Sequence, residues 1–181
     1  MKRRQFTGAL LATPWRAQAQ SDALDLRLRA GACVVVLRHA HTDPGVGDPP
    51  GFQLNQCGTQ RNLDAQGRAQ AERIGRWFKS RALEPKAVRS SAWCRCKDTA
   101  DLSFGRHVVW PVLNSFFDEY SVRQAQTAQL RTALKGIASG GFEVWVTHQV
   151  NITALTGENM AMGEALVLDV TGKVLGRSTF A

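Results

Sequence analysis

The sequence predicts an α/β fold, a three-layer α/β/α sandwich around a mostly parallel sheet. Two observations lead to this prediction. Short runs rich in β-branched and aliphatic residues, such as Val34–Leu37 and Phe142–Val146, are typical of parallel strands buried on both faces. Helical patterns separate these runs, and a β-α-β-α order places helices on both faces of one sheet. The length of 181 residues fits a single domain with a short appendage.

The first predicted elements are a strand and a helix joined by a long loop. The strand Val34–Leu37 ends in Arg38-His39, and the segment 43–63 that follows is irregular. Loops of this length inside a compact domain are usually functional or mobile. Asp64 is the predicted N-cap of a helix that extends to about Leu83, because apolar residues recur on one helical face after it.

The remaining elements continue the alternation. Predicted strands cover about Ala87–Ser90, His107–Trp110 and Phe142–Val146, and strands at about 164–170 and 173–179 form a hairpin that turns at Thr171-Gly172. Helices are predicted from Trp93 to Gly105, from Ser121 to Ile137 and over 150–156. The sequence Ser121-Val122-Arg123-Gln124 matches a capping box, which is why the second of these helices is placed after Ser121.

The charge of the chain favours an anionic ligand. Lys and Arg number 23 against 15 Asp and Glu, which gives a formal charge of +8. Four of the cations lie in the first 19 residues, so that the remainder carries 19 against 15, or +4. This mild excess argues against a nucleic-acid partner. No run of 18 apolar residues occurs, and no membrane span is predicted after removal of the N-terminal segment.

The first 19 residues have the features of an export signal. A basic start containing Arg3-Arg4 precedes a short apolar stretch and the small-x-small sequence Ala17-Gln18-Ala19. The arginine pair resembles a twin-arginine signal. We therefore predict an export signal over 1–19, a periplasmic destination and a single domain over 20–181. The alternative is an amphipathic helix of the mature protein, which an internal proline and weak apolar periodicity disfavour.

Four cysteines are too few for a disulfide scaffold. Cys33 opens an apolar run and is predicted to be a buried thiol. In an oxidising compartment, a bridge from Cys57 to Cys94 or Cys96 would tie the 43–63 loop to the helix that follows. A zinc site of these three cysteines and a histidine is the alternative. Zinc sites usually show two tight ligand pairs, whereas this sequence has only one C-x-C pair.

Side chains suited to phosphate chemistry follow the ends of three predicted strands. Arg38 and His39 follow the first strand, Arg95 follows the second, and His148 follows Phe142–Val146. Ligands of such sheets bind beyond the carboxyl ends of the strands. Guanidinium forks match phosphate oxygens, and a neutral histidine can attack phosphorus. Each residue alone is more often a surface or structural residue, but the joint pattern indicates an anion site.

Four segments resemble the motifs of a known family. They are Leu37–Thr42, Leu63–Ala71, Ser91–Ala100 and Val146–Gln149, and they follow the order of the motifs R-H-G, L-T-x-x-G-R-x-Q-A, S-P-x-x-R-A-x-x-T-A and V-x-H-G. These motifs belong to the histidine phosphatase superfamily, which includes phosphoglycerate mutases and acid phosphatases. The chain resembles a small exported bacterial branch of that superfamily, which implies a phosphoglycerate mutase-like fold. Ala40, Ala92 and Gln149 depart from the usual glycine, proline and glycine, but no catalytic side chain is lost.

The resemblance implies a phosphohistidine mechanism. His39 would attack phosphorus in line, while Arg38, Arg95 and His148 would stabilise the charge on the equatorial oxygens. Because arginines supply the positive charge, no metal and no other cofactor is expected.

The resemblance also implies a proton donor in the loop after the third strand. A carboxylic acid there would protonate the leaving oxygen and then activate water, and Glu119 is preferred to Asp118 for this role. Thr42 and Arg61 are further candidates for contacts with the phosphate or the substrate.

Together these features predict an exported phosphomonoesterase. Its expected partner is a small phosphorylated substrate or a phosphorylated envelope component, such as a sugar phosphate. One alternative is a phosphotransferase or mutase, which would lack its substrate pool outside the cytoplasm. The other is a non-catalytic domain that binds a phosphorylated ligand. Turnover of a generic aryl phosphate separates an enzyme from a binding domain.

Overall fold

The computed structural model describes residues 14–117 and 119–180. The strands are β1 (Cys33–Arg38), β2 (Ala87–Ser90), β3 (Val108–Val109), β4 (Phe142–Thr147), β5 (Ala165–Asp169) and β6 (Val174–Ser178). The helices are α1 (Pro14–Ala30), α2 (Ala65–Ser80), α3 (Cys94–Phe104), α4 (Arg123–Lys135) and α5 (Gln149–Thr156), together with short 3₁₀ turns. Within the described residues, no helix is long and apolar enough to cross a membrane.

The six described strands form one mixed sheet in the order β3-β2-β4-β1-β5-β6. The pairs β1–β4, β2–β4 and β2–β3 are parallel, whereas β5 and β6 form an antiparallel hairpin at one edge. The hairpin turns at Gly172, whose φ of +87° is a conformation that glycine adopts without strain. The predicted mostly parallel sheet with a terminal hairpin is confirmed.

Helices cover both faces of the sheet. One apolar core lies under α1, α2 and α3 and includes Leu28, Trp77 and Phe78. The other lies under α4 and α5 and includes Leu134 and Ile152. Alternate residues of β1 point into the two cores, which is why a run of consecutive apolar residues is needed there. The predicted three-layer sandwich is therefore confirmed.

Helix α1 overlaps the predicted export signal. Residues 1–13 of that signal lie outside the described residues, and α1 begins at Pro14. Within residues 22–30 of α1, the side chains that enter the core are those of Leu24 and Leu28, and both follow the predicted cleavage site. The export signal itself stays a prediction.

Two local predictions were wrong. Ser121 caps no helix, because it lies in a 3₁₀ turn that leads directly into α4. The N–H groups of Val122 and Arg123 donate to the carbonyls of Glu119 and Tyr120 in this turn, and the N-cap of α4 is Val122, which makes no side-chain cap. The strand predicted over 107–110 is reduced to Val108–Val109, and both valines are exposed at the sheet edge.

Candidate active site

The parallel strands bring the predicted arginines and histidines together. Strand β4 lies between β1 and β2, so the carboxyl ends of all three are neighbours. His39 directly follows β1, Arg95 lies in the first turn of α3 after β2, and His148 is the residue between β4 and α5. All three side chains are buried and line one cleft of about 610 Å³.

His39 is held as a neutral imidazole. Its Nδ1 lies 2.8 Å from the carbonyl oxygen of Ala40, which can only accept a hydrogen bond, so Nδ1 carries the proton and Nε2 keeps its lone pair. Burial, followed by the charge of Arg95, lowers the pKa of His39 to about 3. The imidazole is therefore neutral at pH 7, as nucleophilic attack on phosphorus requires.

Close packing next to the segment that follows His39 explains one glycine of the sequence motif. A Cβ atom at Gly67 would lie 2.0 Å from the carbonyl oxygen of His41. Only glycine therefore lets the first turn of α2 approach the segment that follows His39. Asp64 caps this helix as predicted, with Oδ1 accepting from the Gly67 N–H at 2.7 Å.

His148 is oriented by a serine that the sequence analysis did not single out. Its ring centroid lies 5.5 Å from that of His39, and its Nε2 lies 2.8 Å from Oγ of Ser91. Burial and the charge of Arg95 lower the pKa of His148 well below its usual value. Ser91 directly follows β2 and is fully buried. The end of β2 therefore places it next to His148, just as the ends of the neighbouring strands place the other cleft residues.

Three arginines each have an Nε donor without a partner in the described part of the chain. The Nε atoms of Arg38, Arg61 and Arg95 are buried, and none has a hydrogen-bond partner among the described residues. Burial and the neighbouring guanidinium groups lower the pKa of Arg38 and of Arg61. Three buried donors beside two neutral imidazoles form a site for an anion with several oxygens. The structure thus places Arg61, a predicted substrate contact, in the cleft.

The cleft also contains a carboxylate that sequence reasoning missed. Asp48, on the loop between β1 and α2, accepts hydrogen bonds from Nη1 of Arg95 at 2.8 and 3.1 Å. The indole N–H of Trp93 donates to it at 3.0 Å, and the backbone N–H of Arg61 at 2.9 Å. Burial acts to raise the pKa of Asp48, but these hydrogen bonds outweigh it and leave the pKa below its usual value.

Two other predicted site residues are not brought to the cleft lining. Thr42 is fully buried, and its hydroxyl donates to Sδ of Met162 at 3.4 Å. Glu119 is exposed and lies outside the set of residues that line the cleft. Asp118, the other candidate acid, lies outside the described residues. The identity of the proton donor therefore stays a prediction.

A disulfide joins the cleft loop to α3. Cys57 is bonded to Cys94, so the predicted bridge is confirmed and its partner is the first residue of α3. Cys33 and Cys96 are free and buried, as predicted for Cys33. Burial raises the pKa of Cys96 to about 12, which keeps its thiol protonated and unreactive. Within the described part of the chain, no group of three His, Cys, Asp or Glu residues could hold a metal ion.

A second cavity, of about 630 Å³, lies between α2 and α3. Its charged side chains include the pairs Arg76–Glu72 and Arg106–Glu84, at 3.7 and 3.6 Å. Because these two arginines are paired and no histidine lines the cavity, the first cleft is the candidate active site.

Comparison with known proteins identifies the family. Residues 34–165 match the histidine phosphatase superfamily (branch 1), and the chain belongs to that superfamily. The resemblance noted from the sequence is therefore confirmed. No curated protein matches the chain in sequence.

Solved structures share the fold. The protein histidine phosphatase SixA, solved in complex with tungstate, is 17% identical, with a TM-score of 0.54 over 80% of this chain and 95% of its own. A SixA protein from Agrobacterium tumefaciens is 21% identical, with a TM-score of 0.57 over 81% and 97%. The protein TTHB049 from Thermus thermophilus is 21% identical, with a TM-score of 0.57 over 80% and 98%. At these identities the similarity shows the fold alone, which is phosphoglycerate mutase-like. The family match is what indicates a phosphatase-type function.

Proposed function

We propose that the protein is an exported phosphomonoesterase that works through a phosphohistidine on His39. The observation that carries this proposal is a neutral, buried imidazole facing three guanidinium groups whose Nε donors have no partner in the described structure. Such donors bind the oxygens of a phosphoryl group and stabilise the charge that develops there during transfer.

The reaction proceeds in two displacements. The lone pair of His39 Nε2 attacks phosphorus, the bond from phosphorus to the ester oxygen breaks, and that oxygen takes a proton from a carboxylic acid. Water then attacks the phosphohistidine and gives its proton to the same carboxylate, and the P–N bond breaks to release inorganic phosphate. We assign the acid to Glu119 or Asp118 in the segment after β3.

Two observations support export. The first 19 residues have the pattern of a twin-arginine-like signal, and disulfides such as Cys57–Cys94 persist mainly in oxidising compartments. An exported enzyme of this kind would act on a small phosphorylated substrate or on a phosphorylated envelope component such as a sugar phosphate. The neighbour named a protein histidine phosphatase adds phosphohistidine as a substrate to include in a screen.

A non-catalytic phosphate-binding domain is the second candidate. It is favoured by one observation, namely that Asp48 is the only carboxylate among the described residues lining the cleft, and it is engaged by Arg95. Such a domain would bind a phosphorylated ligand in the same cleft without turnover.

The test is turnover of 4-nitrophenyl phosphate by the protein and by His39→Ala. We expect the variant to lose about a thousandfold or more in kcat, since the Nε2 of His148, the other imidazole of the cleft, is engaged by Oγ of Ser91. Rapid quenching of the wild type should trap an acid-labile phosphohistidine at His39. The control is His107→Ala, a histidine outside the cleft that pairs with Asp101 at 2.6 Å. Near-normal turnover by a folded His39→Ala protein would refute the mechanism, and a wild type without turnover would favour the binding domain.

A further inference from the structure

The Asp48 carboxylate touches only one end of the Arg95 side chain. Both of its oxygens lie within 3.1 Å of Nη1, and the carbonyl of Arg61 also accepts from Nη1 at 3.3 Å. The Nε atom of Arg95 is buried without a partner among the described residues. In a planar guanidinium, Nε and Nη2 donate side by side along one edge, whereas Nη1 donates in another direction. The contacts with the loop therefore leave the two-pronged Nε–Nη2 edge for a ligand.

Asp48 is itself held on several sides. Trp93 precedes α3 and donates to Oδ2 through its indole N–H, while the backbone of Arg61 donates to Oδ1. The loop that carries Asp48 is bonded covalently to α3 through Cys57–Cys94, one residue before Arg95. A carboxylate fixed in this way constrains the rotation of the guanidinium that it binds.

Asp48 also changes the net charge of the cleft. Arg38, Arg61 and Arg95 line the same cleft, where the charges of Arg61 and Arg95 add to burial in lowering the pKa of Arg38, and the charge of Arg95 does the same for Arg61. Asp48 is the only carboxylate among the described residues of the lining, and it offsets one of these three charges. The balance of two positive charges matches a phosphate dianion.

We propose that Asp48 is a positioning residue that holds Arg95 by Nη1 and presents its Nε–Nη2 edge to the phosphoryl group. This inference rests on the proposed function, because it concerns the same phosphate site. Asp48 does not exchange protons with the substrate and does not occupy the phosphate position. It acts through Arg95.

The test compares Asp48→Asn with a matched control elsewhere in the fold. Glu143 at the opposite end of β4 accepts from Nε of Arg89 at 3.0 Å and from the indole N–H of Trp145 at 2.8 Å. Glu143→Gln therefore removes the same kind of carboxylate, bound by one arginine and one tryptophan, away from the cleft. For each protein we would measure tungstate binding by calorimetry and the kcat/KM for an aryl and an alkyl phosphate.

We expect Asp48→Asn to weaken tungstate binding by about tenfold or more and to lower kcat/KM for both esters by about 10- to 100-fold. The reason is that a misoriented Arg95 guanidinium loses its directed hydrogen bonds to the oxygens of the ligand. Glu143→Gln should leave both quantities unchanged. In an Arg95→Ala background, Asp48→Asn should lower the tungstate affinity and kcat/KM only slightly further, since the two residues act through one contact. If Asp48 had a purely structural role, the effects of Asp48→Asn and Arg95→Ala would instead be additive.

Besides additivity, three results would overturn the inference. Tighter tungstate binding by Asp48→Asn would show that the carboxylate competes with the ligand. Unchanged binding and turnover would show that Arg95 is oriented without it. Loss of alkyl phosphate hydrolysis, with unchanged tungstate affinity and retained aryl phosphate hydrolysis, would make Asp48 the proton donor. A wild type that binds tungstate but hydrolyses no ester would refute the phosphatase proposal alone, and the tungstate affinities would still decide the role of Asp48.

Discussion

His39 and His148 are buried as neutral imidazoles, which links the active site to the pH dependence of folding. Both folded-state pKa values lie below the ordinary value of 6.5, that of His39 at about 3. The unfolded chain therefore takes up protons below pH 6.5 that the folded protein does not. The contribution of the two neutral imidazoles to stability is therefore fully present above pH 6.5 and declines as the pH falls from there toward 3.

This linkage predicts a loss of stability in mild acid. Between pH 7 and pH 5, His39 alone should lower the free energy of unfolding by about 2 kcal/mol. Each pH unit below the pKa of the unfolded state lowers it by roughly 1.4 kcal/mol. Urea denaturation at pH 7, 6 and 5 measures this slope. His39→Gln removes one of the two groups and should reduce the slope. An equal slope in the variant and the wild type would show that His39 is protonated in the folded protein.

At the scale of elements, the loop between β1 and α2 depends on its disulfide. This loop carries Asp48 and Arg61 into the cleft, yet its regular structure is confined to the short turn Cys57–Thr59. The bridge from Cys57 to Cys94 spans 37 positions, for which the chain-entropy model gives about 3–4 kcal/mol. The bridge therefore contributes both to folding and to the position of the cleft residues.

The double variant Cys57→Ser/Cys94→Ser is expected to lose this stabilisation. Its free energy of unfolding should fall by about 3–4 kcal/mol, and its KM should rise more than its kcat falls, because the loop would sample more positions. Denaturation curves and steady-state kinetics provide these values.

Intact-mass analysis checks the bridge itself. Alkylation of the unfolded, unreduced protein should label two thiols, Cys33 and Cys96, because the other two cysteines are bonded. Labelling of all four cysteines in protein from the exported fraction would contradict the bridge.

At the scale of the whole molecule, α1 is part of the domain core. Leu28 is 1% exposed and lies in the same apolar cluster as Trp77 and Phe180, whereas Leu26 on the same helix is 70% exposed. Leu28→Ala should therefore lower the free energy of unfolding by about 2–5 kcal/mol. The matched change Leu26→Ala should stay within about 0.5 kcal/mol of the wild type.

The same reasoning predicts where the domain can be shortened. A chain that begins at Gln20 retains Leu24 and Leu28 and should unfold at the temperature of the full chain, whereas a chain that begins at Ala32 should be severely destabilised. Thermal unfolding of the two truncated proteins measures the difference. Equal stability of both would place α1 outside the cooperative domain.

The sequence by itself determined the layers of the fold and the centre of the site. Runs such as Val34–Leu37 indicate buried parallel strands through local composition alone, and parallel strands bring their carboxyl ends to one edge of the sheet. The meeting of His39, Arg95 and His148 follows from that geometry. The capping box at Ser121 shows the limit of such local reasoning, because a 3₁₀ turn over Tyr120–Val122 precedes the helix and its N-cap is Val122, which makes no side-chain cap.

Only the tertiary structure decided which loop side chains reach the cleft. The segment 43–63 has no apolar periodicity, so the sequence does not indicate the direction of any side chain within it. Asp48 and Arg95 are 47 positions apart, and their contact requires the folded loop, Trp93 and the disulfide to Cys94. Thr42, by contrast, follows His39 closely in the chain, yet its hydroxyl donates to Met162. Long-range packing sets these directions, and no local pattern encodes them.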